Sequence, residues 1–558
     1  MSKALRTPTA IDALADAWVD TAVALEPTFG TYIGRTESND RFGDHSPAGA
    51  ERVAHEVRRV LDELRSLEPV DDVDLVTKDA LTRDLELDLE LHDAKWHLRD
   101  LNVIASPAQN IRAVFDLMPT DSVDDWSVVA KRLAAVPAAI GGYVETLREG
   151  IRQGVVPARR QVVEVVTQIA RYTDDAGFFA SFAAEAAPSE GQLPASLARE
   201  LSDASGAARV AYDRLAAFLR DELAPVAAEK DAVGRELYAL QSRRFLGAAV
   251  DLDETYQWGI EELARMVAEQ GAIANAIKPG ASVEEAVAFL ESDPASKLHG
   301  TDALRQWMQA TSDRAIEELG RTHFDIAEPI RRLECLIAPT KEGGIYYTGP
   351  TDDFSRPGRM WWSVPEGVTE FDTWRELTTV YHEGVPGHHL QIAQAVYNRA
   401  ELNSWRRLMS GVSGHLEGWA LYAERLMDEL GYLSTPADRL GMLDGQRMRA
   451  ARVVLDIGVH LEKPRPDGEG TWDADYALAF MLRNVNMPDE FVRFEVNRYL
   501  GWPGQAPSYK VGQRIWEQVR DDYRARKGAA FDIKEFHRRA LDLGSVGLDT
   551  LRMAVGRL

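Results

Sequence analysis

Cysteine is almost missing from this chain. The 558 residues include only Cys335, so no internal disulfide can form, and a lone thiol fits a reducing compartment. Cys335 sits in the apolar run Leu333-Glu334-Cys335-Leu336-Ile337, which predicts a buried bystander rather than a nucleophile. Long apolar runs are missing as well. No stretch reaches the about 18 apolar residues that a membrane-spanning helix needs. Met1–Val23 alternates polar and apolar residues without a continuous apolar segment, so it does not read as a signal peptide. The expected location is the cytoplasm. Basic residues are in deficit, 64 against 89 acidic ones, for a formal charge of −25. Nucleic-acid binding needs a basic face to neutralise phosphates, and this balance excludes it as a general property. No fixed-period repeat is visible. With 45% hydrophobic and 27% charged residues, the chain has the composition of a globular protein with a sizeable core.

From about Ala10 to Glu328 the pattern is helical almost throughout, with apolar residues three and four apart in an Ala-, Leu-, Glu- and Arg-rich background. Val57-Val60-Leu61-Leu64-Leu67 and Leu81-Leu85-Leu87-Leu89-Leu91 are the candidate core-facing runs. Pro/Gly/Ser clusters at Pro188–Pro194 and Asp293–Gly300 predict inter-helix loops. The texture changes near Pro329. Arg332–Ala338, Ile345–Thr348 and Arg359–Val364 are short β-branched or aromatic runs, with Gly343-Gly344 between the first two, and they predict a small antiparallel sheet. Helical texture then resumes to Leu558. The fold class expected is mainly α: a helical region over 1–328 and a second region over 329–558 with the small sheet and further helices, forming one continuous body.

Against this background one stretch stands out: Tyr381-His382-Glu383-Gly384-Val385-Pro386-Gly387-His388-His389-Leu390-Gln391. It holds three of the twelve histidines, and His415 lies close downstream; even scatter would place fewer than one between His382 and His415. Such density points to a metal. Thr373-Trp374-Arg375-Glu376 has capping-box spacing, so a helix is expected to start there and to carry His382 and Glu383. In the H-E-x-x-H zinc motif the two histidines stand four apart on one face, with the glutamate as general base. Here Pro386 occupies the second ligand's place, and His388 is six residues after His382. On an unbroken helix that spacing leaves His388 about 120° off the face, while His389 returns to the face but lies about 10 Å along the axis. Either ligand therefore requires an interruption. Pro386 disfavours helix at Val385, and Gly384 and Gly387 tolerate unusual dihedrals, so a two-residue bulge is expected.

A third ligand is sought downstream, because a catalytic zinc site has three protein ligands. Glu417 and Glu424 share one face of a predicted helix, about two turns apart. Glu417 is the favoured ligand, with Glu424 supporting it from behind. Gly411, Gly414 and Gly418 would let this helix pack closely on another. His415 lies off that face and reads as a packing histidine.

The order His-Glu-x-x-Pro-Gly-His-His-Leu-Gln followed by Glu-Gly-Trp-Ala-x-Tyr-Ala-Glu resembles the bacterial family known as domain of unknown function 885, itself similar to the helical gluzincin metallopeptidases such as thimet oligopeptidase and carboxypeptidase Taq. The resemblance runs from Glu26-Pro27-Thr28-Phe29-Gly30-Thr31-Tyr32, through Arg452-Val453-Val454-Leu455-Asp456-Ile457-Gly458-Val459-His460, to Pro503-Gly504-Gln505-Ala506-Pro507-Ser508-Tyr509-Lys510. It implies a zincin-like cleft, zinc as cofactor, His382, His388 and Glu417 as ligands, and Glu383 as base.

That set implies hydrolysis of a peptide or amide bond, with a further donor to the developing oxyanion. Tyr509, His460 and Tyr422 are the candidates, and Tyr509 ranks first because a late tyrosine faces the metal in similar helical peptidases. Arg498 and Lys510 are candidates for a substrate carboxylate. Arg359–Val364 is a candidate edge strand for β-augmentation by an extended peptide. The expected partner is a short peptide or small molecule. The alternatives are hydrolysis of a non-peptide amide or ester, or binding of metal or peptide without turnover.

Overall fold

The computed structural model describes residues 6–338 and 344–558. Met1–Leu5 of the N-terminal stretch, and Gly343 of the turn expected between the first two strands, lie outside the described residues. The protein is mainly α, with two small sheets. Capped helices account for most of it. Thr9, Ser122, Ser282 and Thr435 each close a capping box at a helix start, satisfying backbone donors that a bare helix end would leave orphaned.

Among the described residues two large apolar cores hold most of these helices, and a small third one gathers Leu87, Leu91 and Trp96. One lies between Leu101 and Ala227 and gathers the faces of the Val123–Gln153, Arg159–Thr173 and Ala195–Phe218 helices. The larger takes residues from Ile11 to Leu85 and again from Tyr238 to Val555. The cores thus divide near residues 100 and 230. Val57, Val60, Leu61 and Leu64, and Leu81, Leu85, Leu87 and Leu91, are buried as the periodicity predicts. Leu67 and Leu89 only pack against that core from its margin.

The Pro436–His460 helix runs through the larger core, and every residue from Ala450 to His460 is buried. A helix enclosed on all sides cannot segregate polar residues to a solvent face, so its polar side chains must find internal partners. It packs on the Leu252–Ile277 helix at Gly259, where a Cβ would come within 2.9 Å of Val453 Cγ1.

Among the described residues five strands form the sheets: β1 (Lys297–His299), β2 (Leu333–Ile337), β3 (Ile345–Thr348), β4 (Gly358–Trp362) and β5 (Glu370–Asp372). The Asp293–Gly300 cluster is therefore more than a loop, since β1 pairs antiparallel with β5. The larger sheet has the order β2-β4-β3, and it corrects two expectations. It is mixed, because β2 runs parallel to β4 while β3 runs antiparallel to it. In addition, β4 is the central strand. Both of its hydrogen-bonding edges are taken, so the 359–364 run has no free edge on which a peptide could add a strand.

Candidate metal centre

Strand β5 leads directly into the Thr373–Glu383 helix. The expected capping box does not form. Asp372 takes the N-cap position, and Thr373 Oγ1 donates instead to the Ser296 carbonyl 2.9 Å away, tying the helix start to the turn before β1. The helix does carry His382 and Glu383 on its last turn.

After Glu383 the helix breaks completely rather than bulging. It stops there, and a second helix runs over His388–Tyr397. Between them the chain folds back so tightly that the Gly387 amide donates to the Tyr381 carbonyl at 3.0 Å. A Cβ at Gly387 would lie 1.9 Å from the His382 carbonyl oxygen, so this return requires glycine. The link is pinned from outside by Trp419, whose indole Nε1 donates to the Pro386 carbonyl at 2.8 Å. The reversal brings the His382 and His388 rings to 4.8 Å between centroids, nearly perpendicular.

The Ser413–Glu429 helix supplies the carboxylate. Glu417 Oε2 lies 3.3 Å from His382 Nε2 and 3.7 Å from His388 Nε2, yet it has no hydrogen-bond partner. The three atoms approach one another without being aimed at one another, as donors around a common point do. Zinc–nitrogen and zinc–oxygen bonds of about 2.0–2.2 Å in a tetrahedron put neighbouring ligand atoms about 3.3–3.6 Å apart, close to both distances. The residues present fit such an ion. Exposure rises across the set, from 6% for the His382 side chain through 11% for His388 to 23% for Glu417, so the cluster opens toward solvent on the Glu417 side. Glu383 offers a carboxylate oxygen within 4.8 Å of the two histidines' nearest ring nitrogens.

Behind His382 stands a buried chain of polar groups. Glu424 Oε1 is 2.8 Å from His382 Nδ1, and Thr378 Oγ1 donates to Glu424 Oε2 at 3.0 Å. Gln446 Nε2 approaches the same oxygen at 3.4 Å, and Lys510 Nζ donates to Gln446 Oε1 at 2.7 Å. Lys510 also pairs with Glu262 at 3.0 Å and bonds Gln513 at 3.0 Å. A carboxylate on Nδ1 fixes the tautomer that turns the Nε2 lone pair toward the cluster. Lys510 is fully committed to this chain and 2% exposed, so it is not available to a substrate carboxylate. Arg498, the other candidate, donates to Glu495 at 3.0 Å and to Gln505 at 2.6 Å.

Electrostatics follow the same layout. Burial alone would raise the Glu417 carboxyl, but His382 and His388 overcome this and hold it well below the usual carboxylate range. Burial raises Glu383, and the two histidines offset only part of that rise. Burial opposes the charge on His382, but Glu417 and Glu424 outweigh it and favour positive charge at this position, which a bound cation would supply in place of the proton.

The remaining histidines are used elsewhere. His389 Nε2 lies 2.7 Å from the Ile330 carbonyl and so carries its proton there, leaving Nδ1 to accept from Tyr347 of β3 at 2.9 Å. This side chain moors the second helix to the sheet and faces away from His382. His415 Nδ1 accepts from Gln391 at 3.2 Å, and burial lowers its pKa to about 3. His460, expected as an oxyanion donor, is instead packed on Tyr238, with Nε2 3.0 Å from the Tyr499 carbonyl; the all-round burial of its helix end turns it into the core. Tyr422 is likewise engaged away from the cluster, donating to His537 Nε2 at 2.8 Å.

Tyr509 makes no such hydrogen bond elsewhere among the described residues. It stands in the first turn of the Ser508–Lys527 helix, which meets the Ser413–Glu429 helix glycine on glycine: a Cβ on Gly418 would fall 2.4 Å from the Gly512 carbonyl carbon. Gly414 and Gly418 make this approach, whereas Gly411 precedes the helix. Burial raises the Tyr509 phenol and the Glu417 carboxylate raises it further, so the two groups are within electrostatic reach. Among the described residues its hydroxyl has no hydrogen-bond partner.

Sequence reasoning quoted Arg452 and Asp456 only within the family resemblance and missed the stripe they form with Gln446 and Arg449 on the Pro436–His460 helix. Arg452 pairs with Glu495 at 2.7 Å, and Asp456 accepts from Tyr238 at 2.6 Å and from the Gly504 amide at 2.8 Å. Polar residues three and four apart in an otherwise apolar helix were the available signal.

Fold and site together define a mainly helical protein with two histidines and a glutamate converging beside a second glutamate. The chain belongs to the bacterial protein family of unknown function DUF885, whose model matches residues 27–555. A comparison with curated proteins gives no match. Two solved structures of putative lipoproteins share the fold. One, from Colwellia psychrerythraea, is 21% identical with a TM-score of 0.82 over 98% of both chains. The other, of unknown function and from Shewanella oneidensis, is 19% identical with a TM-score of 0.75 over 98% of this chain and 99% of that one. Among the described residues no helix is long and apolar enough to cross a membrane.

Proposed function

We propose that this protein is a zinc-dependent hydrolase of short peptides, related in its chemistry to the helical gluzincins. The observation that carries the reading is the convergence of His382 Nε2, His388 Nε2 and the hydrogen-bond-free Glu417 Oε2, with Glu424 behind His382. A zinc ion held there supplies Lewis acidity and makes water acidic near pH 7. Glu383 then takes a proton from the attacking water as its oxygen bonds to the peptide carbonyl carbon. It returns that proton to the amine nitrogen as the C–N bond breaks. Burial raises the Glu383 carboxyl, which makes it a stronger base toward the attacking water. The free Tyr509 hydroxyl donates to the carbonyl oxygen as negative charge develops on it. Glu424 keeps His382 in the tautomer the site needs.

The test combines metal analysis with one substitution. Protein purified without added zinc should contain one equivalent of metal. Glu383→Gln should keep that metal while losing at least about a hundredfold in kcat on short peptides. Absence of stoichiometric metal together with unchanged cleavage by Glu383→Gln would sink the reading.

A further inference from the structure

Of the four polar residues on the buried stripe of the Pro436–His460 helix, three have evident partners and one does not. Gln446 reaches Glu424, Arg452 is clasped by Glu495 and Tyr499, and Asp456 holds Tyr238 and Gly504. Arg449 lies between them, half-buried, with Nε shut off from solvent and no hydrogen-bond partner. No carboxylate among the described residues pairs with it, although acidic residues outnumber basic ones 89 to 64 in the chain. Its guanidinium stands 5.9 Å from the Tyr509 ring, and its positive charge reaches Glu383, Glu424 and Tyr509, favouring the ionised form of each. Its Nε is thus a buried donor left for a ligand to satisfy, since an unpartnered buried polar group is costly.

We propose that Arg449 receives the free carboxylate of a peptide substrate's C-terminus, making the protein a carboxyl-end exopeptidase. The proposal rests on the hydrolase reading above and deepens it. A planar guanidinium offers paired donors that match a carboxylate, which is the geometry for reading a chain end. A chain end anchored there, beside Glu383 and Tyr509, sets the scissile bond close to the substrate's carboxyl terminus. Arg452 and Arg498, whose charges also reach Tyr509, are already engaged: both pair with Glu495, and Arg498 donates to Gln505 as well.

The experiment compares one short peptide as its free acid and as its C-terminal amide, using the full-length zinc-loaded protein. Wild type should favour the acid by about tenfold to a hundredfold in kcat/KM, the range expected for a charge-assisted bond. Arg449→Ala should lower cleavage of the acid to the level of the amide, and Arg449→Lys should retain part of the preference. Equal cleavage of acid and amide by wild type, or an unchanged preference in a folded Arg449→Ala, would overturn the proposal. So would an equal loss on both substrates in Arg449→Ala, which would make the arginine an oxyanion donor. Binding of both peptides to Glu383→Gln by calorimetry separates this proposal from the reading beneath it. Tighter binding of the acid without turnover by wild type would leave Arg449's role standing and remove hydrolysis. Equal binding with no turnover would remove both.

Discussion

Glu424 Oε1 sits 2.8 Å from His382 Nδ1, while Glu417 Oε2 lies 3.3 Å from Nε2 of the same ring. One imidazole is thus held between two carboxylates, one buried among Thr378 and Gln446 and one opening toward solvent. This division of labour predicts that Glu424→Gln loses metal affinity by about tenfold to a hundredfold, as expected when the group orienting a ligand is removed. Competition titration against a zinc chelator reads the change. An affinity equal to wild type would show that Glu424 has no part in holding the metal.

The two adjacent histidines should separate cleanly. His388→Ala removes a donor facing Glu417 and should abolish stoichiometric metal at little cost to folding. His389→Ala leaves the Tyr347 hydroxyl and the Ile330 carbonyl without their partner. It should keep the metal while lowering stability by about 1–3 kcal/mol in chemical denaturation. The opposite pattern would reverse the assignment of the ligand.

Gly387→Ala tests the turn. Its Cβ would lie 1.9 Å from the His382 carbonyl oxygen, so the backbone must move and carry the histidines apart. Loss of metal together with destabilisation of about 1–3 kcal/mol is expected. A Gly387→Ala protein that binds zinc as wild type does would refute this account of the break between the two helices.

Asp456 gives a pH signature away from the metal. Burial raises its carboxyl to about 7, although Tyr238 and the Gly504 amide favour the ionised form. Its folded pKa exceeds the unfolded value of about 3.9, so the folded state binds the extra proton between those limits. Stability contributed by the protonated form is therefore lost as pH rises through that window. Asp456→Asn should gain on wild type from pH about 4 to about 7 by at most about 1.4 kcal/mol per pH unit, with no further gain above. Parallel stability–pH curves for the two proteins would contradict the raised carboxyl.

Much of this protein is dictated by local sequence. Periodicity announces the helices, the run from Thr373 announces the one that carries His382 and Glu383, and the crowding of histidines announces the place of interest. These signals are legible because they depend on residues within a turn or two of each other. The same locality explains the misplacements. Thr373 lost its capping role because Asp372 arrives from β5 already in position. His460 and Tyr422 are candidate donors by residue type, but which face of an enclosed helix meets a given neighbour is set by packing, and packing sent both to the core. The 359–364 run reads as a strand, yet only strand order made it central.

Tertiary structure alone decided between His388 and His389, because the choice depends on a fold-back closed by Gly387 and pinned by Trp419 from another helix. It alone assembled the chain from Lys510 through Gln446 and Glu424 to His382. It also left Arg449 beside Tyr509 with no ion-pair partner among the described residues. Those groups are distant along the chain, and only the approach of the glycine-faced helices around one buried helix brings them together.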